Sequence, residues 1–113
     1  MAIDQQRDWQ RRADEAEAKA GPALVRLLEL AEGGDSGQIP RIAKFLASIY
    51  NGEAFPLDPF ELRSVDITIS DDMLTCLDAL RWARTDLHKL IPNGDRRLQD
   101  VIARWGLKWP EDS

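Results

Sequence analysis

The chain has 113 residues, 43% hydrophobic and 31% charged, which is the composition of one globular domain rather than a disordered tail. Its formal net charge is −5, and it holds one cysteine, Cys76, and one histidine, His88. No apolar run approaches the ~20 residues of a membrane span. The polar N-terminus lacks a signal-peptide pattern, and a lone cysteine excludes an internal disulfide, so a cytoplasmic setting is expected.

Charge is unevenly spread. Residues 1–80 carry 8 Lys+Arg against 15 Asp+Glu, a balance of −7. Residues 81–108 carry 7 Lys+Arg against 3 Asp, a balance of +4. The acidic body disfavours non-specific nucleic-acid binding, while the basic C-terminal quarter keeps it open locally.

Residues 1–20 are expected to form a polar N-terminal helix or extension, because Gln, Arg, Glu and Ala favour helix. Their apolar seam is Trp9, Ala13, Ala16 and Ala20, a short heptad-like stripe. A solvated helix leaning on the domain is the favoured reading, and a homodimer or partner contact through this helix is the alternative. Gly21-Pro22 is expected to end it and open a helical domain over 21–110, with Pro22 in a new first turn. Leu24, Leu27, Leu28 and Ala31 share a face of that second helix, and Gly33-Gly34 ends it.

Asp35 and Gln38 have capping-box spacing, although Pro40 restricts where the next helix starts. An anion site at this turn is the less favoured alternative, since the Lys and glycine spacing of a P-loop are missing. Ile42, Phe45, Leu46, Ile49 and Tyr50 then mark one helical stripe, the cleanest in the chain and the expected centre of the fold. Asn51-Gly52 is its expected left-handed stop. Asp58-Pro59-Phe60-Glu61 predicts a short helix with Asp58 as cap and Glu61 closing the box. Val65 to Ile69 alternates like a strand, but it has no partner strand and is read as an extended linker.

Ser70 is the predicted cap of the next helix, with Asp71 and Asp72 at its positive dipole end rather than in a metal site. Met73, Cys76, Leu77, Leu80, Ala83 and Leu87 fall on one side, centred near Leu80. Arg84 lies close to that centre, with Asp58 or Asp66 as its expected partner, and Trp82 lies opposite. Such a tryptophan is either covered, by the Leu107–Trp109 segment or by the N-terminal helix, which is the favoured reading, or an anchor for a partner. Ile91 to Gly94 reads as a turn and Asp95 as the cap of a last helix. That helix buries Leu98, Val101, Ile102 and Trp105 and ends at Gly106. Trp109 folds back, and residues 111–113 form an acidic tail.

No catalytic constellation emerges. Cys76 sits on an apolar face, His88 reads as a helix-end residue, and ligand spacing for zinc is missing. No catalytic residue, metal or cofactor is expected.

Several separated pieces resemble one family. They are Leu27-x-x-Leu30-Ala31, Asp35-Ser36-Gly37-Gln38, Phe45-Leu46 with Tyr50-Asn51, Phe55-x-Leu57-Asp58, Val65-Asp66, Asp71-Asp72-Met73-Leu74 and Trp105. The family is an uncharacterised one, a domain of unknown function in small proteins of proteobacterial integrative conjugative elements and plasmids. The likeness spans about residues 23–106 of this chain. It departs at Ile49-Tyr50, where many relatives carry paired tryptophans, at Glu53-Ala54, where Gly-Gly is usual, and at Pro40, where a basic residue is usual. The resemblance implies a mobile-element setting and assigns no chemistry.

The expectation is therefore an all-α single compact domain of about five or six helices with short connections. Its expected role is a non-catalytic protein-interaction or regulatory module, a class that includes inhibitors of host defence systems. Trp82, Arg81 and Trp109 are the candidate partner-binding residues. The alternative is a DNA-associated accessory factor using Arg96, Arg97, Arg104 and Lys108.

Overall fold

Gly21-Pro22 does not break the first helix. A computed structural model, which describes residues 2–110, has one continuous helix α1 over Ala2–Gly33 with Pro22 inside it. At 1.5 Å per residue its 32 residues span about 48 Å, which accounts for the 49 Å long axis of the molecule. Proline removes the N–H that would bond the carbonyl of Ala18. Ala18 and Pro22 are both exposed, so water can serve that carbonyl. The opposite face supplies the reason for continuity. Trp9, Ala13, Ala16, Ala20, Ala23 and Leu27 follow a four–three spacing straight through the Gly-Pro pair, and the five from Ala13 to Leu27 are buried.

That seam packs on α3 (Ile67–Trp82), which runs antiparallel to α1. Arg26 meets Asp72 near one end of the pair and Trp9 meets Trp82 at the other. The alanine stripe is therefore covered within the same chain, and small side chains on both helices allow close approach. Helices α2 (Ile39–Tyr50) and α4 (Gly94–Arg104) complete the fold, with 3-10 turns at Pro59–Arg63 and Leu87–Leu90. Among the described residues the chain is all-helical, with four α-helices rather than the expected five or six. The difference is the fused α1 and the segment Pro59–Arg63, which does not pass beyond a 3-10 turn. The 111–113 tail lies outside the described residues.

Helix α2 packs on α1, α3 and α4 and buries Ile39, Ile42, Ala43, Phe45, Leu46 and Ala47, with Ile49 and Tyr50 half-buried, but the element that the others pack on most is α1 rather than α2. Both ends of α2 differ from expectation. Gln38, not Asp35, is the N-cap residue, and no side chain caps the first turn. The Gln38 side chain instead accepts the Asp66 backbone N–H at 2.6 Å and donates to the Asp66 carboxylate at 3.0 Å. At the C-terminus Asn51 is extended (φ −153°), not left-handed. Its side-chain oxygen accepts the N–H groups of Glu53 and Ala54, which closes the turn without positive φ.

Asp58 caps the first 3-10 turn through the Phe60 N–H at 3.0 Å, as its spacing predicts. Glu61 does not close a capping box. It pairs with Arg41 at 3.0 Å and ties the turn to α2. Helix α3 begins at Ile67, three residues before the expected cap at Ser70, with Asp66 as N-cap. Gln38 holds the Asp66 N–H in place, and Ser70 donates back to the Ile67 carbonyl within the first turn. With that start Asp71 and Asp72 fall past the first turn, away from the positive dipole end, and Asp72 instead receives both prongs of Arg26 at 2.8 and 3.0 Å.

The buried line of α3 is Met73, Cys76 and Ala79, while Leu77 is half-buried and Leu80 is 48% exposed. The face is thus turned away from the expected centre at Leu80. The close seam with the α1 alanines takes the small Ala79 and displaces the bulkier leucine beside it. The helix also stops at Trp82, with Ala83 extended.

Asn93, not Asp95, precedes α4, and it is left-handed (φ 57°). A Cβ on Gly94 would lie 1.9 Å from the His88 carbonyl oxygen, so that position admits only glycine. Leu98, Val101 and Ile102 are buried as expected. At the other end Gly106 is left-handed (φ 68°), its N–H bonds the Ala103 carbonyl, and the Leu107 N–H bonds that of Ile102. This is a Schellman stop. The Trp105 indole N–H donates to the Ala31 carbonyl at 2.9 Å, joining the ends of α1 and α4.

Candidate interaction surfaces

Trp82 is covered by the N-terminal helix. Its ring meets the Trp9 ring edge-on, with centroids 5.6 Å apart and planes at 81°. The guanidinium carbons of Arg81 and Arg12 lie 4.9 and 5.3 Å from its centroid. Coverage is partial: Trp82 is half-buried and Trp9 is 64% exposed. The arginines are oriented by carboxylates, Arg81 by Asp78 at 3.0 Å and Arg12 by Asp8 at 3.2 Å. The Arg11 hydrogen bond holds the Asp8 carboxyl below its ordinary range. The arrangement is an aromatic pair framed by fixed guanidinium groups.

Arg84 lies beyond the end of α3, and neither Asp58 nor Asp66 is its partner. Its backbone N–H donates to Glu17 at 3.0 Å, and its guanidinium reaches Asp14 and Glu17. These bonds hold the Glu17 carboxyl below its ordinary range, the backbone bond first. The sequence marks Trp82 and Arg84 as misfits on a helix expected to reach Arg84, but α3 ends at Trp82 and only Trp82 is on it. The N-terminal helix, one of the two segments expected to cover Trp82, supplies Trp9, while Asp14 and Glu17 on it are partners of Arg84 that local spacing does not show.

Trp109 belongs to a different cluster from Trp82 and Arg81. Its ring packs edge-on against Phe55 at 4.8 Å and Tyr50 at 6.2 Å. Tyr50 also lies against His88, with ring centroids 5.4 Å apart, and its hydroxyl donates to Asp95 at 2.5 Å. That bond pushes the tyrosine pKa up. Cys76 is buried in the core, and burial pushes its thiol up to about 12.

The four basic residues toward the C-terminus do not share one state. Arg97 grips Glu32 of α1 with both prongs, at 2.8 and 2.9 Å, and is partly buried. The same bonds hold the Glu32 carboxyl below its ordinary range. Arg96 is exposed and within 3.9 Å of Asp100, and Arg104 and Lys108 are exposed.

A groove runs between the C-terminal half of α1 and the start of α3, with a volume of about 770 Å³. Arg26, Glu29 and Leu30 form one wall, and Thr68, Ile69 and Asp71 are on the other.

A model of a protein family matches residues 21–106. The chain belongs to that family of unknown function, DUF7673. No curated relative and no solved structure matches the chain. The DUF7673 segment starts midway along α1. It contains Arg81, Trp82 and Arg84 but not Trp9, Arg12, Asp14 or Glu17, which lie against them. The α1–α3 groove falls wholly within it.

Proposed function

We propose that this chain is a non-catalytic, cytoplasmic protein-interaction or regulatory module of a mobile genetic element, of the class that includes inhibitors of host defence systems. The observation that carries the interaction reading is the Trp9–Trp82 pair with Arg12 and Arg81 against it. Tryptophan and arginine dominate the energetics of protein interfaces because they bury much area and make directional polar contacts. An aromatic surface already framed by oriented guanidinium groups loses little side-chain freedom on binding. The mobile-element setting rests on the family resemblance of the sequence, and the acidic body suits a surface that imitates nucleic acid. Use of Arg97 by Glu32 reduces the basic surface a DNA-associated factor would use.

The test is capture from host-cell extract on the tagged chain, with mass spectrometry of what is retained. Trp9→Ala should abolish capture while leaving the melting temperature nearly unchanged, since the indole is mostly in solvent. Trp82→Ala should abolish it too, at some cost in stability. Equal capture by the parent and both variants would remove this surface from consideration.

A further inference from the structure

Two connections come together beside α2. The chain after the Asn51 turn carries Phe55, and the segment after the Schellman stop carries Trp109, and these two rings join the connections at 4.8 Å. A cavity of about 440 Å³ lies between these connections and α2. Ala47, Phe55, Leu57 and Leu107 give it an apolar wall. Its charged side chains are Lys44, Asp58, Glu61 and Lys108. The fold uses both carboxylates: Glu61 is paired with Arg41 at 3.0 Å, and Asp58 accepts the Phe60 N–H at 3.0 Å. It uses neither ammonium. Lys44 and Lys108 are exposed, and Lys89 is the only lysine in an ion pair among the described residues. With Arg41 set against Glu61, the charge at the cavity is positive. A cavity of this size with an apolar wall suits a small ligand, and ammonium groups without a carboxylate suit an anion upon it.

We propose that this cavity binds a small organic acid. Its apolar body lies against Phe55, Leu57 and Leu107, and its carboxylate meets Lys44 and Lys108. The site shares no residue with the Trp9–Trp82 surface, so the two proposals fail independently.

The probe is naphthalene-2-carboxylate, titrated into the full chain by calorimetry, with the uncharged naphthalene-2-carboxamide as control. The acid should bind saturably with a Kd below about 1 mM, the range for a ligand of this size. The amide should bind about fivefold or more weakly, and added salt should narrow the difference. Lys44→Gln with Lys108→Gln, both changes at exposed positions, should bring the acid down to the affinity of the amide. Leu57→Ser should weaken acid and amide alike, since its side chain would be desolvated in the complex. Melting curves of each variant separate lost binding from lost folding. On the unaltered chain, backbone N–H chemical-shift changes on adding the acid should centre on residues 54–58 and 107–108, which locates the site without a substitution. Trp9→Ala should leave binding intact. Absence of saturable binding, equal binding of the amide, shift changes centred elsewhere, a preference for the acid that survives loss of both lysines, full binding by folded Leu57→Ser, or weaker binding by Trp9→Ala overturns the proposal.

Discussion

Phe45 is fully buried at the centre of the cluster that joins α1, α2, α3 and α4. Truncating it to alanine removes an aromatic ring and leaves a void that close-packed neighbours fill only in part. Phe45→Ala should cost about 3–5 kcal/mol in a denaturant titration. A melting temperature within a degree or two of the parent would contradict its central place. Cys76 illustrates the other use of burial. Only the thiolate is a good nucleophile, and removal from water holds this thiol in its neutral form, up to about 12. A thiol-reactive probe at pH 8 should leave the native chain unmodified and label it readily in denaturant. Rapid labelling of the native chain would mean that α3 opens away from α1.

The α1–α3 pair depends on small side chains along its seam. Ala20 has no exposed surface there. Ala20→Leu should destabilise by about 1–3 kcal/mol through overpacking, although leucine is itself a good helix former. Unchanged stability in chemical denaturation would show that the seam has slack. Between α1 and α4, the Glu32–Arg97 pair makes docking depend on pH. Its hydrogen bonds to Arg97 lower the Glu32 pKa in the folded state from an ordinary 4.5. The contribution is therefore present above about pH 4.5 and lost as pH falls through the lowered folded value. The parent should lose melting temperature below that point, and Glu32→Gln should lose it less steeply. Equally steep acid limbs would assign the effect to other carboxylates, with Glu17 the first to examine, because Arg84 holds its pKa down in the same way.

For the molecule as a whole, a net charge of −5 opposes approach to a polyanion, and the clamp on Arg97 takes one of the C-terminal cations out of use. Mobility shifts with duplex DNA across a salt series should show no retardation at micromolar protein and physiological salt. Tight retardation that weakens steeply with salt and depends on Arg96, Arg104 and Lys108 would favour the DNA-associated alternative.

The sequence by itself determined the features that close over a few residues. The stripe of α2, the Asp58 cap, the Gly106 stop and the buried line of α4 each depend on neighbours within one or two turns, so their spacing is enough to read them. Trp82 was legible as an anomaly for the same reason, whereas Arg84 lies past the end of α3, where the helical period no longer applies. Tertiary structure decided everything that required a partner far along the chain. Gly21-Pro22 looks like a break by local rules, yet the alanine seam packed on α3 carries the helix through it. Asp66 starts α3 because Gln38, 28 residues earlier, holds its N–H. Arg84 finds Asp14 and Glu17, 70 and 67 residues away, and the α3 face turns to put Ala79 rather than Leu80 against α1. A helical period says which residues lie side by side on one element, but which side is covered depends on the shape of the element packed against it.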